Sequence, residues 1–245
     1  MYPELFRIGG LIFYTHGVLA VLGIIIGSLI VYLLAKKQRL KTDYLFDNIV
    51  YSVLTGIVFA RVTYFIIYHD QFSTFREIFY LWQGGMVSYG GFIPGFIVFV
   101  LLLRTQKVEI SRWLSITSIA FPAGLFWGRL GNIFAGEYSG VATMSKFSLG
   151  GLVPVPAYEA ILLALISAGL FLMYKKANKM FEKHAFAILA MSYTFGRFII
   201  DFWRDESKIF LNISLGQTVS LLLFIAVMAF SIHKHVQLKH NHGIV

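Results

Sequence analysis

A chain of 245 residues that is 58% hydrophobic and only 13% charged, with a mean hydropathy of +0.73, is too apolar for an ordinary soluble domain and reads as an integral membrane protein. Its net charge of +9 would suit a nucleic-acid partner in a soluble protein, but in a membrane chain the position of each Lys and Arg outweighs their sum, and no nucleic-acid partner is expected. The absence of cysteine excludes disulfides, a thiolate metal site and a thiol nucleophile borne by the protein itself.

A bilayer-spanning helix needs about 20 mostly apolar residues. Seven stretches qualify, near 16–35, 48–68, 88–103, 113–134, 156–174, 185–203 and 213–232. No basic segment precedes the first and no small-residue cleavage site follows it, so it reads as a retained span. The third is short, and Gly90, Gly91, Pro94 and Gly95 predict a broken or re-entrant start. The loops on one side carry thirteen Lys and Arg, among them Lys36, Arg104, Lys175 and Lys234; the opposite loops carry five. The positive-inside rule therefore places the N-terminus outside and the C-terminus in the cytoplasm. The expectation is an all-α, polytopic membrane protein with about seven transmembrane helices, in one domain over 1–245, with a short outer segment near 135–155.

Three further basic residues, Arg61, Arg129 and Arg197, lie inside spans, all past the middle of spans that run outward. They are expected to cluster in the outer half of the membrane. A charge at the centre of a membrane helix costs roughly 2.5 to 3.5 kcal/mol on insertion scales, so each needs a counter-charge or a ligand. Arg129 sits in the stretch GRLGNIFAGEYSG, three residues from Asn132 and eight from Glu137, with Gly124, Gly128 and Gly131 removing side-chain bulk around it. One reading is an anion site with room for a lipid headgroup. The other is a small-residue packing face whose arginine snorkels to the interface. Arg61 could likewise simply pair with a carboxylate between helices. In the sixth span Tyr193, Arg197, Asp201 and Arg204 are spaced by four, four and three and stripe one face, so Asp201 can neutralise Arg197. Arginine suits a phosphate because its planar fork bonds bidentately and stays charged in apolar surroundings.

These residues also carry a resemblance. GRLGNIFAGEYSG resembles the signature of prolipoprotein diacylglyceryl transferases, bacterial inner-membrane enzymes. In the same order, ARVTYFIIY through Arg61, Tyr64 and Tyr68, the glycine-rich GGMVSYGG with Gly90 and Gly91, PVPAYEA through Pro154, Tyr158 and Glu159, and YTFGRFIIDFWRDE through Tyr193, Arg197, Phe202 and Arg204 are similar to further motifs of that family. The chain departs from the usual pattern at His16 (usually Tyr), Tyr89 (most often His), Ala135 (Asn), Val153 (His) and Asp201 (Glu), and its outer segment 140–153 is shorter.

The resemblance implies transfer of diacylglycerol from phosphatidylglycerol to the lipobox cysteine of a prolipoprotein signal peptide, in the bacterial cytoplasmic (inner) membrane, with the active side toward the outer leaflet. Such a transfer needs no metal, nucleotide or covalent enzyme intermediate. Arg129 and Arg197 would stabilise the departing phosphate, and Asn132 and Glu137 would position lipid hydroxyls or the signal-peptide backbone. His16, at the outer mouth of the first span, is the base best matched to neutral pH, or else a helix-capping residue. With Tyr89 it is expected to form one functional pair. Arg61, Tyr158, Glu159, Tyr193, Asp201, Arg204, Gly90 and Gly91 complete the expected lipid site. The alternative function is a lipid-binding or lipid-transporting protein of the same fold without transferase activity. His233, His235, His240 and His242 read as part of a basic tail and not as a metal site. There is no phosphate-binding loop, and VSYGG lacks the first glycine of a nucleophile elbow.

Overall fold

The computed structural model describes residues 2–9, 11–80, 84–176, 178–206, 208–210 and 213–242. In lipid only a helix or a closed barrel satisfies its own backbone, and the seven apolar stretches are helical: α1 Thr15–Lys37, α2 Leu45–Ile67, α3 Ser88–Thr105, α4 Ile110–Ala135, α5 Val155–Lys176, α6 Asn178–Ile200 and α7 Leu215–His242. Six are long and apolar enough to cross a membrane, α6 with the 3-10 turn that prolongs it to Trp203 and α7 by its part Leu215–His233. The remaining helix, α4, has 26 residues but a more polar make-up, with Ser115, Thr117, Ser118, Arg129 and Asn132 along it. The protein is thus a mostly helical, polytopic membrane protein.

Two short antiparallel ribbons depart from the all-α expectation: β1 Glu4–Ile8 with β2 Leu11–Tyr14, and β3 Lys208–Phe210 with β4 Ile213–Ser214. In the first, Phe6 faces Phe13 and their rings stack at 4.6 Å. The second leads into α7 through a reciprocal cap, in which the Gln217 N–H donates to Ser214 Oγ at 3.2 Å and the Ser214 N–H to Gln217 Oε1 at 2.9 Å.

The chain divides into two compact units, one of residues 1–33 and 114–245, the other of residues 34–113. In the second, α2 packs on α3. Pro94 lies within α3, which is continuous from Ser88, so the expected broken start is not seen. The glycines have another purpose. A Cβ on Gly91 would lie 2.6 Å from the Gly56 carbonyl oxygen, one on Gly95 would lie 2.8 Å from that of Ser52, and one on Gly90 would overlap Thr63. They bring two helix backbones together, as small residues do between membrane helices. At the other end of this helix pair, Asn48 and Gln106 exchange amide hydrogen bonds of 3.0 and 2.7 Å.

In the first unit, α1 approaches α4 just as closely. A Cβ on Gly124 would lie 2.7 Å from the Gly23 carbonyl, and one on Gly131 would lie 2.8 Å from His16 Cα. Gly128, on the same helix, faces open space. Of the three glycines around Arg129, two let a neighbouring helix in and one leaves room.

Candidate functional site

Arginines within apolar helices need counter-charges, and the first unit supplies two buried carboxylates. Glu159, near the start of α5, has a side chain only 2% exposed. Its Oε2 forms an ion pair with Arg129 Nε at 2.8 Å, and its Oε1 accepts from Arg204 Nη2 at 2.6 Å and also pairs with Arg197 Nη1. Asp201, in the 3-10 turn after α6, is fully buried and accepts from Arg197 Nε at 3.1 Å and from Arg204 Nε at 2.9 Å. The first turn of α7 lies against it, since a Cβ on Gly216 would be 2.9 Å from Asp201 Oδ2. The positive end of that helix favours the carboxylate's charge.

Three cations on two carboxylates leave one positive charge over. Glu206 stands 3.6 Å from Arg204 Nε, beyond hydrogen-bond distance and partly in solvent, where a counter-charge is screened. Arg129 is the most accessible of the three arginines, and among the described residues neither of its Nη groups has a hydrogen-bond partner. The cluster therefore holds an unused planar fork beside a surplus positive charge, which is what a phosphate oxygen pair requires.

The segment after α4 fixes Arg204 from the other side. The Glu137 N–H bonds to the Asn132 carbonyl at 2.9 Å and that of Gly136 to Ile133 at 3.1 Å, with Gly136 at φ +84°. This is a Schellman ending, and its left-handed residue is a glycine because a Cβ would be strained there. It turns Glu137 back over the helix end. There Oε2 accepts from Asn132 Nδ2 at 2.6 Å and Oε1 lies 3.2 Å from His16 Nδ1. The chain then runs along the end of α6: Gly140 bridges to Arg204, the Val141 N–H donates to the Trp203 carbonyl at 2.9 Å, and Ser139 Oγ accepts from Arg204 Nη1 at 3.3 Å.

Beside the cluster an apolar groove of about 460 Å³ runs between α4 and α5, lined by Phe126, Leu130 and Ile133 on one side and Ala157, Ala160 and Ala164 on the other. Leu130 and Ala160 directly follow Arg129 and Glu159 in the chain, so the groove begins where the arginines are held.

Arg61 is engaged elsewhere. It is 3% exposed, and all five of its guanidinium N–H groups go to backbone carbonyls of its own unit: Nε to Ile78 at 3.2 Å, Nη1 to Gly84 and Gly85, and Nη2 to Glu77 at 2.7 Å and Tyr80 at 3.3 Å. The Phe72 ring lies 5.1 Å from its Cζ. It ties down the connection between α2 and α3 and has no donor left for a phosphate. Gly90 and Gly91 are the packing glycines already described, and Tyr89 is in the first turn of α3. Tyr158 makes an edge contact with Trp203 at 6.3 Å and packs on Val153, Val155 and Ile200, while Tyr193 is half-buried one turn before Arg197. The side chains of His235, His240 and His242 lie outside the described ones. What the sequence reading missed is the centrality of Glu159, the one carboxylate touching all three arginines. A signal existed, because a carboxylate opening an apolar run is as costly as the arginines are.

Residues 3–233 match the family model described as prolipoprotein diacylglyceryl transferase. The chain belongs to that family. Among curated members it is similar to phosphatidylglycerol–prolipoprotein diacylglyceryl transferase 1 of Clostridium perfringens, 27% identical with 100% of this chain and 99% of that protein covered. The same enzyme of Oceanobacillus iheyensis is 27% identical over 93% of this chain and 86% of its own length, and that of Limosilactobacillus reuteri 26% identical over 98% and 94%.

Family membership gives the departures from pattern their structural setting. Asp201 keeps the charge and fills its place between Arg197 and Arg204. Val153 is buried in a cluster with Val155 and Ile200 and lies against Gly140. Ala135 is the buried last residue of α4 and contributes no polar group. His16 meets Glu137, whose Oε1 lies 3.2 Å from its Nδ1.

Proposed function

We propose that the chain transfers the diacylglyceryl group of phosphatidylglycerol to the lipobox cysteine thiol of prolipoproteins and releases glycerol 1-phosphate. The observation that carries this reading is the surplus charge of the arginine cluster with the open fork of Arg129. In the reaction the cysteine sulfur bonds to the glyceryl carbon while that carbon's bond to the phosphate oxygen breaks. The electron pair leaves with the phosphate and the thiol proton passes to a base. Arg129 would bind two phosphate oxygens and stabilise the growing charge, more strongly where water is excluded. Arg197 and Arg204 hold the field positive from behind, and Glu159 and Asp201 keep all three side chains in place. The groove between α4 and α5 suits an acyl chain of the same lipid. The site would face the outer leaflet of the bacterial cytoplasmic membrane, where translocated prolipoproteins arrive.

The test is expression in a bacterium depleted of its own transferase, with the mass of a prolipoprotein reporter measured. The expected result is restored growth and a reporter heavier by one diacylglyceryl group. Ala135, which lacks the usual polar side chain, favours a second reading, a member that binds lipid without transferring it. Retained phosphatidylglycerol binding with an unmodified reporter would establish that reading and overturn the first.

Orientation has its own test. Met144 is fully exposed in the segment after α4, and Asn178 begins α6 beside Lys175 and Lys176. In this cysteine-free chain, Met144→Cys should react with an impermeant maleimide in intact spheroplasts and Asn178→Cys should not. The reverse pattern would place the arginines in the cytoplasmic leaflet, out of reach of a translocated lipobox.

A further inference from the structure

His16 is the second residue of α1. The close approach of Gly131 to its Cα sets it against the last turns of α4, and the Schellman turn brings Glu137 back to meet it. Glu137 Oε1 lies 3.2 Å from His16 Nδ1, and Asn132 Nδ2 donates to Glu137 Oε2 at 2.6 Å, which fixes the carboxylate's second oxygen. A carboxylate offers only acceptor oxygens, so one at this distance favours a hydrogen on Nδ1 and leaves the lone pair of a neutral imidazole on Nε2. Nε2 has no hydrogen bond among the described residues. Both side chains are nearly half-exposed, at 45% and 47%, so a substrate can reach them. The Tyr14 ring stacks beside the imidazole at 6.2 Å, and within this unit Glu137 is the one ionised group in contact with it among the described residues. Asn132 is one turn beyond Arg129 on α4, about 4.5 Å along the axis, which sets this pair next to the arginine cluster.

We infer that Glu137 is a positioning residue for His16, holding its imidazole as the Nδ1–H tautomer so that Nε2 takes the proton of the acceptor thiol. The inference rests on the transferase reading and goes beyond it by reassigning Glu137 from contact with substrate to orientation of the base. As the sulfur attacks the glyceryl carbon, its proton moves to Nε2 and the phosphate leaves with the bonding pair. The imidazolium, stabilised by Glu137, then returns its proton to water. Asn132 acts through the carboxylate, keeping it turned toward His16. Base, orienting carboxylate and locking amide form a relay of the kind that supports nucleophiles elsewhere, here serving a thiol that belongs to the substrate.

The experiment uses the full chain in nanodiscs containing phosphatidylglycerol, with a lipobox-cysteine peptide as acceptor. His16→Gln should lower kcat by about 10²-fold or more, within the usual range for a lost general base. Glu137→Gln should lower kcat at least tenfold while leaving KM for phosphatidylglycerol within twofold, and the double variant should be no worse than His16→Gln alone, since the carboxylate acts only through the imidazole. Parental kcat in Glu137→Gln, or losses that multiply in the double variant, would overturn the inference. A second measurement is independent of turnover: nitrogen-15 spectra of histidine-labelled protein at pH 8.5, with the His16 signals identified by their absence in His16→Gln. The Nδ1–H tautomer is expected in the parent protein, and finding Nε2–H there overturns the pair. If the parent transfers nothing, the transferase reading fails while the tautomer still decides the pairing.

Discussion

Arg129→Lys is expected to reduce diacylglyceryl transfer by about two to three orders of magnitude at equal expression, the range found when one preorganised donor to a developing oxyanion is removed. The formal charge is unchanged, so a site that needed only positive potential would tolerate the exchange. Geometry is what the lysine lacks. Arg129 pairs its Nε with Glu159 and keeps two parallel Nη groups for a ligand, whereas an ammonium must serve Glu159 and the phosphate from one atom. Initial rates on a lipobox peptide, with phosphatidylglycerol binding measured in parallel, provide the check. A lysine variant that turns over like the parent would show that the phosphate is not held by the fork.

Glu159→Gln should cause the larger loss of stability. One substitution leaves Arg129 without its counter-charge and leaves Arg197 and Arg204 with Asp201 as their one buried carboxylate, and breaking a buried ionic group by removing one partner costs about 3 to 5 kcal/mol. The melting temperature of the detergent-purified protein, followed by tryptophan fluorescence, should fall by roughly 10 °C on the scaling for chains of this size. Pairing the change with Arg204→Gln removes one stranded cation, so the double variant should melt above the single one. Glu159→Gln melting with the parent, or the double variant melting lower than the single, would show that the carboxylate is not the centre of the cluster.

The parts of the molecule that could be read in the sequence are those governed by local rules. Hydropathy over a bilayer length located all seven helices to within a few residues apart from the ends of α6 and α7, and the i, i+4 spacing anticipated the bond between Arg197 and Asp201. The turn that brings Glu137 onto Asn132 is also local, written in the sequence Ala135, Gly136, Glu137. What escaped was set by partners distant in the chain or invisible in it. Glu159 meets Arg129 thirty residues earlier and Arg204 forty-five residues later, and neither spacing carries a periodic signal. Gly90 and Gly91 looked like site glycines because a glycine freeing space for a ligand and one admitting a helix have the same sequence. The ribbon of Glu4–Ile8 and Leu11–Tyr14 merges with the apolar run that opens α1, and only the chain's path separates them.

Arg61 shows how such invisibility shapes what a protein can become. The connection it gathers is held through carbonyl oxygens of Glu77, Ile78, Tyr80, Gly84 and Gly85, groups that every amino acid possesses. Side chains at Ile78 and Tyr80 can drift through many generations without loosening the grip, whereas Gly84 and Gly85, both at φ +76°, must stay free of a Cβ for the backbone to keep its course. The arginine has no comparable freedom, since lysine offers three donors where five acceptors wait. Tolerance to change is therefore lopsided across this contact, wide at Ile78 and Tyr80 and nearly nil at the two glycines and on the helix.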